Sequence, residues 1–373
     1  MNNDLRRSVL DTPERNGASA SGMGVGSHAL GKDDRITLKQ GAGGRAMRGL
    51  IEDAFLHAFA TDPPQLAGVI GLAAMDDGGA VRIGDRWLVL TTDSHVIQPV
   101  FFPGGDIGRL AIAGTVNDLA MMGATDVLGL TCSVIIEEGF LRRDLERILA
   151  SMRDTCREAG ATVLAGDTKV MGKGEIDGIV INTAGVALTS HLITDRGLRP
   201  GDRLIVTGTI GDHGMAVMAT RHGLALDTPL ESDVAPINGL IRAALAADPT
   251  AVTAMKDPTR GGVASVLHEM ASKGRVGVVI DERALPVRAA VRGISELVGI
   301  DPLLVANEGK AVMAVRADAA EHVLECLRAH PLGRNAAIVG VCTEERPGMV
   351  VLDTGFGRRL VAEPEGELLP RIC

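Results

Sequence analysis

Ile107-Gly108-Arg109-Leu110-Ala111-Ile112-Ala113-Gly114-Thr115-Val116-Asn117-Asp118-Leu119-Ala120-Met121-Met122 reads as a helix whose apolar run is broken by the polar pair Asn117-Asp118. Upstream, Trp87-Leu88-Val89-Leu90-Thr91-Thr92 reads as a strand that follows a turn at Gly84-Asp85. Downstream, Leu141, Leu145, Ile148, Leu149, Met152 and Cys156 recur at the spacing of an amphipathic helix, and Ile179 to Leu188 is a buried type of strand. Nearer the start, Met47, Leu50, Ile51, Ala54, Phe55 and Phe59 mark a helix after the turn Gly41-Ala42-Gly43-Gly44. Strands alternating with helices predict an α/β (α+β) chain.

The turn at Leu198-Arg199-Pro200-Gly201-Asp202 opens a second α/β half. Its expected strands are Arg203 to Thr207, Val276 to Ile280, Ala311 to Val315, Ala337 to Val341 and Met349 to Leu352. Its expected helices start near Gly211, at Gly262 and at Ala319. The resulting division is a disordered extension over 1–34, a first domain over 35–190, a second over 191–345, and a strand and mobile tail over 346–373. A length of 373 residues suits about two domains.

The net charge is −9, no basic block exceeds a pair, and Tyr is absent beside one Trp and six Phe. Nucleic-acid grooves need positive charge and aromatic platforms, so none is expected as a partner. Apolar residues make up 46% of the chain and mean hydropathy is +0.19, but no apolar run reaches membrane-spanning length. The polar start lacks a signal-peptide core, which predicts a cytoplasmic protein. Cys132, Cys156, Cys326, Cys342 and Cys373 form no Cys-x-x-Cys pair, so neither a zinc site nor a dithiol motif is expected. The first four sit in apolar surroundings and read as core residues, which leaves Cys373 over. A thiol on a Pro- and Gly-punctuated tail is either incidental or a nucleophile that can carry a group between sites.

Glycines at Gly41, Gly43 and Gly44 let backbone N–H groups approach an anion near a helix start, although an ordinary strand-to-helix turn reads the same way. Acidic residues close several expected strands: Asp76-Asp77, Asp93, and Asp167 after a strand over Thr162 to Leu164. Gathered together, such carboxylates could hold Mg²⁺ on a polyphosphate; singly, each is a turn or cap residue. Capping cannot account for Asp118, inside a helix; its alternative is a solvent-facing position. Lys169 lies just beyond the Asp167 strand, Glu308 lies in the polar turn Asn307-Glu308-Gly309-Lys310, and both are surface charges if taken alone. Asp257-Pro258-Thr259-Arg260-Gly261-Gly262 is a second Gly-rich helix opening whose Arg could pair with phosphate. His213 in Gly211-Asp212-His213-Gly214 is a phosphate donor or a simple helix-start residue.

Taken in order, these segments resemble one family, the hydrogenase-maturation HypE proteins. The matching pieces are Lys39-Gln40-Gly41-Ala42-Gly43-Gly44-Arg45-Ala46-Met47, Thr91 to Ile97, Gly114 to Ala124, Ala165 to Met171, Gly211 to Gly214, Asp257 to Gly262 and Asn307 to Gly309. The ending Pro370-Arg371-Ile372-Cys373 is specific to that family; the other pieces are shared with aminoimidazole ribonucleotide synthetase, thiamine-monophosphate kinase and selenophosphate synthetase. The resemblance implies an aminoimidazole ribonucleotide synthetase-like fold whose first domain pairs across a homodimer into a β-barrel-like core. It implies ATP and Mg²⁺, and ATP-dependent dehydration of a carboxamide on the terminal cysteine to a thiocyanate. It implies HypF as carbamoyl donor and a HypC–HypD complex as acceptor of cyanide for [NiFe] hydrogenase.

Carried over residue by residue, Cys373 holds the substrate, and Lys169 and Glu308 face it. Asp76, Asp93 and Asp118 hold Mg²⁺–ATP, with Asn117 and Asp167 near the nucleotide and Gly41, Gly43 and Gly44 around phosphate. Asp257 and Arg260 stand close to the same nucleotide. Two other readings remain: a small-molecule kinase or cyclase, in which Cys373 has no role, and a non-catalytic nucleotide-binding scaffold. A selenophosphate synthetase needs a reactive Cys near the first glycine loop, and this chain has none before Cys132.

Overall fold

A computed structural model describes residues 35–41, 43–59, 68–224, 229–365 and 371–373, the side chain of Ala247 excepted. The extension expected over 1–34 lies outside them. After Gly43 the chain forms α1 (Gly44–Leu50), which runs through a π-helical turn, Ile51–Leu56, into α2 (His57–Phe59). Strands β1 (Val69–Ile70), β2 (Gly79–Ile83) and β3 (Arg86–His95) follow, then the small hairpin β4 (Phe101–Phe102) and β5 (Gly105–Asp106). Next come α3 (Ile107–Met121), β6 (Val127–Glu137), α4 (Arg142–Ala159), β7 (Val163–Met171) and β8 (Ile179–Thr189). Asp106 starts α3 by accepting hydrogen bonds from the N–H groups of Gly108 and Arg109, at 2.8 and 3.0 Å. The sheet order is β1-β2-β3-β8-β6-β7, and only β6 and β7 run parallel. Helices α3 and α4 cover one face. At Gly108 a Cβ would lie 2.6 Å from the Ile148 carbonyl, so glycine is what lets α3 and α4 cross this closely.

The other face is open within one chain, and no barrel closes there among the described residues. Leu90, Leu128 and Leu164 stand on it 43%, 53% and 70% exposed. β7 runs through Asp167 and Lys169 where a strand end was expected. The polar run Asp167-Thr168-Lys169 imitated a loop because β7 is an edge strand, and an edge strand exposed on both faces carries no hydrophobic alternation.

The second half builds β9 (Arg203–Val206), α5 (Asp212–Arg221), α6 (Asn238–Ala247), β10 (Val252–Lys256), α7 (Gly262–Gly274) and β11 (Gly277–Asp281). Helix α8 (Ala289–Val298), β12 (Val312–Val315), α9 (Ala320–Ala329), β13 (Ala337–Thr343), β14 (Val350–Asp353) and β15 (Arg358–Leu360) complete it. These strands form a seven-stranded sheet ordered β10-β12-β9-β13-β11-β14-β15. Cys132, Cys156 and Cys342 are buried as expected, while Cys326 is only half-buried on α9. No helix among the described residues is long and apolar enough to cross a membrane.

The two halves are stitched at Asn117. Its amide nitrogen donates to the carbonyls of Ala235 and Glu308, at 3.1 and 3.2 Å, and its oxygen accepts from the N–H of Ile237 at 2.8 Å. The polar residue inside α3 is therefore buried and its amide is fully engaged with backbone from the second half. Asn117→Ala removes these bonds and should cost about 1–3 kcal/mol. Urea unfolding at neutral pH measures this as a lower midpoint, and an unchanged midpoint would mean the stitch carries no stability.

Candidate active site

Along β3, side chains alternate between the open face and the face under α3. Thr91, Asp93 and His95 point toward α3, and Asp118 reaches them from the helix: the Thr91 hydroxyl donates to Asp118 Oδ2 at 2.9 Å. His95 is buried, with Nε2 3.0 Å from Asp93 Oδ2. At Gly114 a Cβ would lie 2.7 Å from His95 Nε2 and 3.1 Å from Asp93 Oδ2, so this turn of α3 must be glycine for β3 to seat there.

From the second half come Asp257 and Arg260, at the opening of α7, and Glu308. Asn307 aims the Glu308 turn: its oxygen accepts from the Gly211 N–H at 2.7 Å, and its amide nitrogen donates to the carbonyls of Pro258 and Val305. Asp233 Oδ1 accepts from the Glu308 N–H at 3.1 Å, and Lys310 Nζ lies 3.1 Å from Asp233 Oδ2. The turn expected on the surface is therefore interior: Glu308 is 3% exposed and its Oε1 has no hydrogen-bond partner.

Electrostatically these carboxylates oppose one another. Burial, then Asp257, Asp93 and Asp233, push the Glu308 carboxyl well above its ordinary range, and Arg260 offsets this only in part. Burial, then Asp257, Asp93 and Asp77, do the same to Asp118. Asp257 is raised by burial and Asp77 despite Lys256. Asp93 differs: burial pushes it up, but His95 and Arg260 more than offset this and leave it below the usual value. Asp76, beside Asp77, is raised to about 7 by burial, Asp195 and Asp77. Lys256 bridges Asp77 and Asp195, with Lys273 also on Asp195, so this acidic pair also joins the two halves.

The glycine turn lies against the Arg260 loop. A Cβ at Gly43 would be 2.9 Å from Arg260 Cβ, and one at Gly44 would be 2.2 Å from the Pro364 carbonyl. Both glycines have positive φ, 73° and 65°. The Arg45 N–H already donates to that Pro364 carbonyl at 3.3 Å, and Gly41 is exposed, with room for a Cβ.

The structure thus brings Asp93, Asp118, Asp257, Arg260 and Glu308 together, with Gly43 and Gly44 adjoining Arg260 and Asp76 coupled to the same set through Asp77 and Lys256. It does not bring Asp167 or Lys169 to them. Register pairing through Ile135, Ser133, Asn182 and Val180 places both on the open face, opposite the face of Asp93. Three strand spacings, about 14 Å, also separate β7 from β3. Asn117, expected beside the nucleotide, has its amide engaged with backbone and acts by positioning the Glu308 turn. His95, Lys256, Asp233 and Lys310 were missed by sequence reasoning. His95 had a signal, since it stands two residues from Asp93 on one strand face.

Among the described residues no group of three acidic, His or Cys side chains stands ready to hold a metal ion alone. The donor chemistry nonetheless fits Mg²⁺ bound together with phosphate oxygens. Buried carboxylates with unbalanced charge accept a hard cation that completes its shell from elsewhere. The pH sign follows for the protein without ligand. Below about 4.5 Glu308 is protonated folded and unfolded; above that only the unfolded chain ionises freely, so the burial penalty grows with pH. Glu308→Gln should therefore melt close to wild type at pH 4.5 and progressively higher than wild type toward pH 8. A difference between the two melting temperatures that stays flat with pH would contradict the burial of this charge.

Residues 75–189 match the family described as AIR synthase related protein, N-terminal domain, and 199–353 the corresponding C-terminal domain. A carbamoyl dehydratase HypE from Rhizobium leguminosarum bv. viciae is 47% identical over 342 residues, spanning 91% of this chain and 95% of that protein. The solved HypE–HypF complex contains a chain 45% identical, with TM-score 0.77, covering 84% of this chain and 99% of its own. A hydrogenase maturation protein HypE solved in complex with ATP is 39% identical, with TM-score 0.74, covering 90% of this chain and all of its own. With a conserved two-domain fold and near-complete overlap at this identity, the chain belongs to the HypE family of carbamoyl dehydratases.

Proposed function

We propose that this chain dehydrates a carboxamide carried on Cys373 to a thiocyanate, in the cytoplasm, using ATP with Mg²⁺. The observation that carries the reading is the seat of the tail: the Cys373 carbonyl accepts from the Val96 N–H at 3.4 Å, one residue beyond His95 and three beyond Asp93. Cys373 is half-buried there, packed against the core that contains Ile97 and Phe102, where a kinase or cyclase would have no use for it.

In the proposed reaction, ATP supplies a phosphoryl group that turns the amide oxygen into a leaving group. The carbon–oxygen bond then breaks as phosphate departs, the nitrogen loses both protons, and the S–C≡N group remains on Cys373. Asp93 and Asp118, with Asp76, would hold Mg²⁺, and Arg260 with the Gly43–Gly44 turn would face the phosphates. Glu308 is the base once the site is occupied. A cation bound by the neighbouring carboxylates would offset the like charge that keeps it protonated in the empty site, and its ionised form has one unpartnered oxygen to take a proton. Like charge from Asp257 raises the proton affinity of that carboxylate.

The open sheet face supports a homodimer. Its groove of about 920 Å³ is lined by Leu90, Leu128, Leu164 and Val186 together with Asp76 and Asp77, apolar surface that a second sheet would cover. Lys169 and Asp167, on that same face, would then belong to a site shared between protomers. This restores for the dimer a role that the single chain does not support. By likeness to the HypE–HypF complex, HypF would be the partner that loads the tail. The family resemblance implies a HypC–HypD complex as acceptor of the cyanide. Leu128→Arg should convert dimer to monomer in sedimentation; an unaltered dimer would place the interface elsewhere.

The deciding measurement is the mass of the C-terminal peptide after incubation with HypF, carbamoyl phosphate and ATP. Wild type should gain a carboxamide and lose water only when ATP is present. Glu308→Gln should load normally but dehydrate about 10²–10⁴-fold more slowly. An unmodified Cys373, with HypF active on a control substrate, would overturn the reading in favour of a small-molecule kinase.

A further inference from the structure

The last three residues occupy a built seat. Gln98 N–H donates to the Arg371 carbonyl at 3.3 Å and Val96 N–H to the Cys373 carbonyl at 3.4 Å. Paired positions two residues apart in opposite directions have the register of an antiparallel ladder, so the tripeptide docks through its main chain beyond β3, with Arg371 at a left-handed φ of 55°. Between these bonds Ile372 points inward and is 3% exposed, joining the core that contains Ile97, Phe102 and Val217.

One donor in this seat is unusual. His213, at the start of α5, is completely buried, and its Nε2 stands 2.7 Å from the Ile372 carbonyl. A carbonyl only accepts, so Nε2 carries the proton. Nδ1, 2.8 Å from Ser232 Oγ, then accepts from that hydroxyl in the neutral ring. Burial pushes the imidazole pKa down, which favours that neutral tautomer. Phe102 packs edge-on at 5.4 Å between ring centroids and fixes the plane. Arg221, at the other end of α5, donates to the Arg371 carbonyl at 2.8 Å and to the Gln98 carbonyl, clamping both sides of the pairing. A fixed, buried donor whose acceptor lies on the tail is left without that acceptor whenever the tail departs, and an unpaired buried donor is costly.

We propose that His213, oriented by Ser232 and assisted by Arg221, is a positioning residue that binds the main chain of Arg371-Ile372-Cys373 and so sets the fraction of time Cys373 is withheld from solvent. Its hydrogen bond to the tail is to the Ile372 carbonyl, so it acts on the main chain. Helix α5 thereby links the second domain to the tail, and the seat recognises the main chain of a short peptide carrying a branched aliphatic residue. That the seat exists does not rest on the dehydratase reading; that it divides the tail between loading and reaction does.

The test is the iodoacetamide alkylation rate of each cysteine, followed by peptide mass on the full chain without nucleotide or partner. Being independent of turnover, it separates failure of the seat from failure of the dehydratase assignment. Loss of one buried hydrogen bond shifts the seated fraction by about tenfold. His213→Ala should therefore speed alkylation of Cys373 by up to about tenfold while Cys132 and Cys156 stay protected. Ile372→Ala should act in the same direction, and the double variant should add little to it, because an unseated tail no longer senses His213. An unaltered Cys373 rate in His213→Ala overturns the proposal. If Cys132 and Cys156 also become reactive, the fold has been lost and Arg221→Ala decides: a rise confined to Cys373 supports the seat, and no rise refutes it.

Discussion

Everything at the centre of this molecule depends on one buried side-chain amide meeting the backbone of a distant turn. Asn117 sits in a helix that is otherwise nearly all core, and an unpartnered amide there would be strongly destabilising. Its three partners on Ala235, Ile237 and Glu308 can be supplied only if the second domain lies against α3 in one register. The same bonds that join the domains therefore aim Glu308. Gly309 next to it has no room for a side chain, since a Cβ would lie 2.0 Å from the Asp233 carbonyl. Stability and positioning are here a single set of contacts.

That closure creates the electrostatic problem which the site then uses. Bringing the second domain onto α3 sets Asp257 and Glu308 against Asp93 and Asp118, with too little positive charge to balance them. Hydrophobic burial elsewhere must hold such groups together against their repulsion, and the two large cores flanking the cleft do so. Strain of this kind is what a cation and a polyphosphate would relieve on binding, so under the proposed function ligand affinity and the instability of the empty site would have one origin. Beyond the end of β3 the tail is held through main-chain bonds and one aliphatic anchor.

How legible each part was depended on how local its cause was. The helix over Ile107 to Met122 and the strand over Ile179 to Leu188 were read almost to the residue, because burial on one or both faces imposes a periodicity that neighbours share. β7 was cut short because an edge strand exposed on both faces has no such periodicity. β10 and α6 went unread as elements although both are buried, since short apolar runs do not distinguish strand from helix. The acidic set was visible as residue types at strand ends and was collected into one group by its likeness to a family, not by spacing. His213 was read as a helix start, which it is; its grip on Ile372 could not be seen, because the partners lie 159 residues apart.

By itself the sequence determined the alternation of elements, the glycine positions where the backbone must turn with positive φ, the stock of carboxylates and the thiol on the tail. These follow from side-chain shape, polarity and backbone sterics acting over a few residues. Only the tertiary structure decided that Glu308 is interior while Lys169 and Asp167 face away on an edge strand. It alone decided that Asn117 serves the backbone, and that a buried histidine reaches the end of the chain. Each depends on which surfaces meet, as with Asn117 and Glu308, 191 residues apart. Such meetings are set by the packing of whole sheets and helices, which no local pattern encodes.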